Sequence, residues 1–201
     1  MDVREIVPGL WYWTAPHPDW NGAADWPEDV GCVYYEASNA TVFIDPLVAG
    51  DRKDDLWAEF DTRVQRRRLP VQVLLTAPWH MRSAPAFAER YDAAVWGYQT
   101  GGGPAGALPA GTELFVPGGA SEGQVGFFLR PHRALVVAEV FMGVDGGLRV
   151  CPSPGLIDAH AFNESLRGLL DLPIDHVIVS HGAPVLHNGR RQIAEALGVH
   201  V

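Results

Sequence analysis

The stretch of this sequence with the clearest chemical character is a short turn that holds an indole, an imidazole and a guanidinium: Trp79, His80 and Arg82. The apolar run from Val71 to Leu75 before it is typical of a buried strand, and the residues from Ser83 to Tyr91 are typical of a helix. In layered α/β folds, the turn at the carboxyl end of a buried strand is a common place for ligand-binding and catalytic groups. The turn is therefore the first candidate site.

Two later residues could share that site. Glu139 follows an apolar run that begins at Ala134, and a carboxylate at the end of a buried strand needs a polar partner. His181 follows the last apolar strand, predicted over residues 176–179. Imidazole, guanidinium and carboxylate groups together support either ion pairing or metal binding.

The composition limits the possible partners. The chain has 201 residues, of which 47% are hydrophobic, so one domain covering residues 1–201 is expected. Its formal charge of −9 disfavours nucleic acid and an anionic membrane surface as partners. Cys32 and Cys151 lack the spacing of a zinc motif, and the N-terminus lacks the features of a signal peptide, so a cytoplasmic protein with reduced thiols is expected.

The predicted elements alternate between groups of strands and helices. Two sets of strands, each followed by helices, predict two stacked sheets inside outer helices, an α/β (α+β) sandwich of four layers in the order αββα. The strands are predicted over residues 6–14, 31–35, 41–44, 71–75, 93–98, 114–116, 124–129, 134–140, 148–151 and 176–179. The helices are predicted over residues 51–68, 83–91, 160–172 and 188–197.

The order of these segments resembles that of the metallo-β-lactamase-like superfamily. The segment from Thr41 to Pro46 resembles that family's strand ending in an aspartate, and Val73 to Tyr91 resembles its strand, metal loop and helix. Pro117-Gly118-Gly119, followed by the hairpin from Gln124 to Val140, resembles the P-G-H loop and the next strands. Val177 to Val185 resembles the closing G-H-G segment. The resemblance implies the four-layer sandwich and an ancestry among metal-dependent hydrolases.

The metal ligands of that family are mostly absent here. The H-x-H-x-D-H loop aligns with residues 77–82, which places other residue types at its four ligand positions: Ala77, Trp79, Met81 and Arg82. The histidine of P-G-H is Gly119, and the aspartate that bridges two metals is Glu139. Among the family's histidines, His181 remains. The resemblance therefore implies the fold without the ordinary pair of zinc ions.

Two interpretations of the remaining residues stay open. In the first, the Arg82 guanidinium pairs with Glu139 in the space of a metal, His181 joins the network, and no cofactor is present. In the second, His80 is displaced by one residue but turns inward, and with Glu139 and His181 it holds one zinc or iron ion with an open position. We favour the first.

Other residues complete the predicted pocket. Trp20 and Trp26 lie in an early loop that overhangs the site in the resembled family, where they could cover a ligand or anchor the loop. Asp45 is expected to orient the turn. Trp79 is expected to pack in the core rather than to stack on a ligand. The other histidines of interest are expected at the surface: His132, His160, His176, His187 and His200.

The sequence thus predicts a metal-free protein, a pseudoenzyme that binds a small molecule. The pocket is expected to contain His80, Arg82, Glu139, His181, Trp79, Trp20, Trp26 and Asp45. A free Arg82 would favour an anionic ligand. The alternative is an enzyme, a hydrolase of esters, thioesters or lactams that uses one metal. The sequence contains no information on the oligomeric state.

Overall fold

The structure is a computed structural model that describes residues 3–23, 25–99, 103–104, 106–151 and 155–199. The surface position expected for His200 lies outside these residues. None of the helices in the described part of the chain is both long and apolar enough to cross a lipid bilayer.

The first sheet has six strands, β1 to β6, which lie side by side in sequence order. The pairs from β1 to β4 are antiparallel, whereas β4–β5 and β5–β6 are parallel. The parallel pairing brings the carboxyl ends of β4 and β5 to the same edge of the sheet. The strands are β1 Arg4–Val7, β2 Leu10–Pro16, β3 Asp29–Glu36, β4 Thr41–Ile44, β5 Val71–Leu74 and β6 Ala94–Trp96.

Two helices cover the outer face of this sheet through aromatic contacts. Helix α1 spans Lys53–Arg67 and helix α2 spans Ala84–Tyr91. Phe60 of α1 and Phe87 of α2 both contact Phe43 of β4, with ring centroids 5.1 and 4.5 Å away. Large buried rings such as these contribute much of the apolar stabilisation of a layer.

The second sheet has four strands in the order β14, β11, β10 and β9. Strand β11 pairs antiparallel with β10 and parallel with β14. These strands are β9 Thr112–Phe115, β10 Gly126–Leu129, β11 Ala134–Val137 and β14 His176–Val179. Two short hairpins lie outside both sheets, made of β7 Tyr98–Gln99 with β8 Gly103–Pro104, and β12 Phe141–Val144 with β13 Gly147–Val150.

The outer face of the second sheet is covered by α3, Ala159–Arg167, and α4, Gly189–Ala196. Phe162 and Ile193 from these helices are buried in a cluster with side chains of β11 and β14. Between the sheets lies a further core that includes Ile44 from the first sheet and Phe127 and Ile178 from the second. The αββα order of layers predicted from the sequence is confirmed.

The first strand, predicted over residues 6–14 with an interruption at Pro8-Gly9, is divided there in the structure. Residues 6–14 form parts of two strands, β1 and β2. Gly9 turns the chain between them with φ +89°, a conformation that glycine adopts at low cost. The sequence signal for this turn was the dipeptide Pro8-Gly9.

Two later predictions need correction. The helix predicted over residues 160–172 ends at Arg167 and continues as one 3₁₀ turn, Gly168–Asp171. The strand predicted to reach Val140 ends at Val137, so Glu139 lies in a turn. Strand β12 was missed.

The two sheets meet at Gly31 of β3. Its N–H donates to the carbonyl of Ser180 at 2.7 Å, just beyond β14. A Cβ at Gly31 would lie 2.4 Å from the carbonyl oxygen of Val179 and 2.9 Å from the ring of Tyr12. This close approach of backbones requires glycine and fixes the spacing of the sheets beside the candidate site.

Replacement of Gly31 by alanine should therefore lower the free energy of unfolding by about 2 kcal/mol or more, because the rigid backbone of β14 cannot move away from the new methyl group. Urea unfolding followed by circular dichroism measures this loss. Gly168→Ala is the matched control, since a Cβ there meets no atom within 4 Å. Equal stability of the two variants would contradict the close approach.

Candidate functional site

The candidate site forms where β4 and β5 end. Ile44 pairs with Leu74, and each strand is followed by a polar side chain, Asp45 and Thr76. Pro78 then begins a 3₁₀ turn, Pro78–His80, because its fixed φ suits the first position of such a turn. The turn brings His80 back over the strand ends.

Asp45 anchors this turn. Its carboxylate accepts hydrogen bonds from the Thr76 backbone N–H at 2.8 Å, from the Thr76 hydroxyl, and from His80 Nδ1 at 3.0 Å. Asp45 is 3% exposed. Burial acts to raise the pKa of its carboxyl, but His80, Arg82 and Thr76 outweigh that effect and leave the pKa lowered. The orienting role expected for Asp45 is consistent with these contacts.

His80 lies between two carboxylates. Its Nδ1 bonds Asp45 and its Nε2 lies 3.1 Å from Glu139 Oε1. Ionised carboxylates can only accept hydrogen bonds, so both ring nitrogens of His80 carry protons in this arrangement. Burial and the nearby Arg82 both act to lower the pKa of His80. Asp45 and Glu139 outweigh these effects, so the pKa is raised.

The Glu139 carboxylate is bound mainly by the site turn itself. The indole N–H of Trp79 donates to both of its oxygens, at 3.0 and 2.9 Å. His80 approaches Oε1 from one side and His181 Nε2 lies 3.7 Å from the same oxygen. Burial acts to raise the pKa of Glu139, but His181, His80 and Trp79 together lower it. Glu139 is therefore ionised and largely satisfied.

Trp79 is at the surface, not in the core. Its side chain remains 46% exposed while the indole N–H binds Glu139. The core packing expected for Trp79 is therefore wrong. Trp79 and Glu139 are far apart in the sequence, so the sequence alone contains no signal for the hydrogen bond between them.

His181 begins the segment after β14 and is covered by the early loop. Its ring is 4.8 Å from that of Trp26, and the Trp26 ring meets His17 edge-on at 5.5 Å. The buried Nδ1 of His181 finds no hydrogen-bond partner among the described residues. Trp20 donates its indole N–H to the carbonyl of Trp26 at 3.0 Å, so it holds the loop in shape.

Arg82 does not pair with Glu139, contrary to the favoured interpretation of the sequence. Its Nη1 donates to the carbonyls of Gly31, at 3.1 Å, and Asp45, at 3.0 Å. The Gly31 carbonyl belongs to β3 and the Asp45 carbonyl directly follows β4, whereas Glu139 already has other donors. Arg82 adopts φ +37°, a sterically restricted conformation for a residue with a Cβ.

One residue expected at the surface is buried. His176 in β14 is 6% exposed, and its Nδ1 lies 2.6 Å from the carbonyl of Leu186. Sequence analysis also missed Thr76 and Gly31 as parts of the site. Thr76 could have been found as the polar residue that ends the apolar run before the turn.

In this arrangement His80 and Glu139 already have hydrogen-bond partners within the chain. A zinc ligand must offer a lone pair, and an imidazole that donates from both nitrogens has none. Both oxygens of Glu139 are already engaged by the Trp79 N–H. Within the part of the chain that the structure describes, no group of three or more His, Cys, Asp or Glu side chains is arranged to hold a metal ion.

Comparison with solved structures defines the class of fold. A metallo-β-lactamase from Erythrobacter litoralis is similar with a TM-score of 0.65 and 15% identity, over 98% of this chain and 90% of that one. A β-lactamase domain protein from Burkholderia ambifaria gives 0.65 and 15%, over 98% and 72%. An NDM_FIM-1 like metallo-β-lactamase from Erythrobacter litoralis in the mono-zinc form gives 0.64 and 17%, over 98% and 94%.

This chain therefore has the metallo-β-lactamase fold, as its motifs predicted. No protein-family model matches the sequence, and no protein with a curated description is significantly similar to it.

Replacement of His80 by glutamine should lower the free energy of unfolding by about 3 kcal/mol, since it leaves two buried carboxylates without their shared cation. In a domain of this size that corresponds to a fall of about 6 to 12 °C in the thermal midpoint. Differential scanning calorimetry at pH 6 measures it. His160→Gln is the matched control, because His160 is exposed.

The same cluster predicts a pH window of stability. The contribution of charged His80 is complete below the ordinary histidine pKa of 6.5 and is lost as the pH rises through the raised pKa of the folded protein. The contributions of ionised Asp45 and Glu139 are present above their ordinary pKa values of 3.8 and 4.5 and are lost at lower pH. The thermal midpoint should therefore fall above pH 6.5, and His80→Gln should flatten that fall. An unchanged slope in the variant would contradict a charged His80.

Proposed function

We propose that this chain is a metal-independent binding protein, a pseudoenzyme that keeps the fold of the metallo-hydrolases without their chemistry. The observation that carries the proposal is the engagement of the Glu139 carboxylate by the chain's own Trp79 and His80. The N–H groups of these side chains thus donate to the carboxylate oxygens that would otherwise coordinate a metal cation.

The balance of charge supports this proposal. The two carboxylates of the cluster, Asp45 and Glu139, lie beside two cationic groups, the His80 imidazolium and the Arg82 guanidinium. A buried carboxylate pair without cations would attract a divalent metal, whereas this pair is already neutralised. A metal would have to displace a proton from His80 and approach Arg82 against repulsion.

The geometry also limits which residues a ligand can touch. His80 and Asp45 are 4% and 3% exposed and act as support for the others. Trp79 is exposed, Trp26 is half-buried, and the Glu139 side chain is 16% exposed. A small molecule would therefore bind over Trp79, Trp26 and Glu139. An anionic ligand was expected on the premise of a free Arg82, and the two carbonyl partners of Arg82 weaken that premise.

One observation favours the second candidate, a hydrolase with a single metal. The Nε2 atoms of His80 and His181 lie 3.1 and 3.7 Å from Glu139 Oε1. Two ligands of one tetrahedral zinc are about 3.3 Å apart, given metal–ligand bonds of about 2.0 to 2.1 Å. This candidate requires Trp79 to leave the carboxylate and His80 to lose a proton, so we place it second.

Metal content separates the two candidates. Protein purified without chelator or affinity-tag metal should contain close to no zinc, iron or manganese by elemental mass spectrometry. Soaking in zinc followed by desalting should not change that result. About one metal ion per chain would overturn the proposal and would direct further work to esterase, thioesterase and lactamase assays.

Glu139→Gln gives an independent readout. It removes one of the two charges beside His80, so the variant should lose about 2 kcal/mol of stability while its metal content stays near zero. Under the second candidate, the variant would instead lose a metal that the original protein holds. Glu89→Gln is the control, because Glu89 is exposed on α2. Urea unfolding and elemental analysis on the same samples give both values.

A further inference from the structure

The exposed apolar side chains of this protein are gathered around the candidate site. In the described part of the chain, the large hydrophobic residues that remain exposed are Trp79, Met81, Val116, Val144 and Ile157, with exposures of 46, 46, 51, 40 and 74%. Single exposed hydrophobic residues are ordinary, but their confinement to one region marks a surface for binding.

Backbone hydrogen bonds place these residues on loops that border the site. The loop that contains Val116 reaches the site turn, since Val125 N–H donates to the Thr76 carbonyl at 2.7 Å. The segment with Ile157 contacts the same loop, because the Ile157 N–H donates to the carbonyl of Gly119 at 2.8 Å.

The remaining two loops close this surface. In the hairpin that carries Val144, the neighbouring Gly143 donates its N–H to the His181 carbonyl at 2.9 Å. Trp79 and Met81 belong to the site turn itself. We call the surface formed by these loops, together with residues 17–23 and 25–29, the site face.

The charged residues of the site face are mainly acidic. Its acidic side chains are Asp19, Asp25, Glu28, Asp29, Glu122, Glu139, Asp145 and Asp158. By sequence, the loops over residues 17–29, 76–83, 116–125, 138–146, 155–158 and 180–187 contain one Lys or Arg, Arg82. The hairpin that carries Val144 adds a second cation, the exposed Arg149, whose Nη2 lies 3.2 Å from Met142 Sδ. Arg82 is half-buried and donates to backbone carbonyls, so it adds little positive charge to the outer surface.

Basic residues gather at the opposite edge of the sheets. Arg67 donates to the carbonyl of Ala40 at 3.1 Å, at the start of β4. Arg130 and Arg133 lie in the turn between β10 and β11. These arginines are ion-paired with Glu36, Glu113 and Asp175 at that edge. The attraction of the site face for cations therefore comes from its own acidic side chains.

Two indoles border the carboxylate at the centre of the site face. Trp79 binds Glu139 directly. The Trp26 ring lies 4.8 Å from the His181 ring at a tilt of 40°, and His181 Nε2 is 3.7 Å from Glu139. Indole faces attract organic cations, and a nearby carboxylate strengthens that preference. Apolar surface, exposed indoles and acidic charge therefore occur together.

We infer that the site face binds a small organic cation with an apolar body, such as an arylalkyl ammonium. The ammonium group lies against the indoles of Trp79 and Trp26, attracted by the exposed carboxylates of the site face around them, and the apolar body covers Met81 and its exposed neighbours. This inference rests on the proposed function, because a metal bound at Glu139 would replace the ammonium group.

The test compares two probes of the same size and opposite charge, 2-phenylethylammonium and 3-phenylpropionate. Isothermal titration calorimetry at about 20 mM salt should show the ammonium binding at least about tenfold more tightly than the carboxylate. Raising the salt to about 0.5 M should weaken the ammonium binding severalfold, because exposed charges are then screened. Equal or tighter binding of 3-phenylpropionate would overturn the inference.

Variants locate the binding. Trp79→Leu should weaken binding of 2-phenylethylammonium at least about fivefold, whereas Trp79→Phe, which keeps an aromatic face but loses the N–H, should weaken it about twofold. If both variants lost the same affinity, the indole would act only by holding Glu139, and the contact with the ligand would be refuted.

A charge control completes the experiment. Asp25→Asn with Asp145→Asn should weaken binding severalfold, while Glu5→Gln with Glu89→Gln, the same change of charge on β1 and α2, should leave it within about twofold. Absence of binding up to about 20 mM ammonium in a metal-free protein would refute the organic cation and leave the proposed function intact. Metal in the purified protein would refute the proposed function itself.

Discussion

The imidazole of His80 lies between the carboxylates of Asp45 and Glu139, and the other features of the site depend on that position. One carboxylate ends β4 in the first sheet, and the other follows β11 in the second. A single protonated ring therefore connects both halves of the sandwich. Its charge offsets the cost of burying two anions, which would otherwise be several kcal/mol.

This bridge explains the conformation of the site turn. Asp45 holds the turn through hydrogen bonds with Thr76 and His80. The conformation of the turn then places the Trp79 N–H within hydrogen-bond distance of Glu139. Arg82 then donates to the carbonyls of Gly31 in β3 and of Asp45 just after β4. The positive φ values of Asp45 and Arg82 are strained conformations that these hydrogen bonds maintain.

The polar centre of this sandwich is a cluster of hydrogen bonds between its own side chains and backbone. Imidazolium and indole N–H groups satisfy the carboxylates, and the backbone carbonyls take up the guanidinium. The outer surface differs in character from this inner cluster. On the outer surface, exposed indole and aliphatic side chains lie among acidic residues. In the inner cluster, the charges are already balanced.

The layer order and the approximate elements were accessible from sequence, because apolar periodicity, Pro and Gly signals and the order of motifs are local properties of the chain. Local signals also predicted the turn at Trp79, His80 and Arg82 as the first candidate site. The end of the helix at Arg167, the missed strand Phe141–Val144 and the burial of His176 depended on packing between distant segments, which periodicity does not encode.

The pairing of side chains within the site also depends on contacts between distant segments of the chain. The sequence by itself determined the fold, the absence of the usual histidine and aspartate positions, and the candidates His80, Glu139 and His181. Only the tertiary structure decided that His80 and Trp79, not Arg82, bind Glu139. The physical reason is that several donors compete for one carboxylate within a few ångströms. Which donor binds the carboxylate depends on the backbone angles and on which buried carbonyls remain unpaired. Both are properties of the assembled sheets.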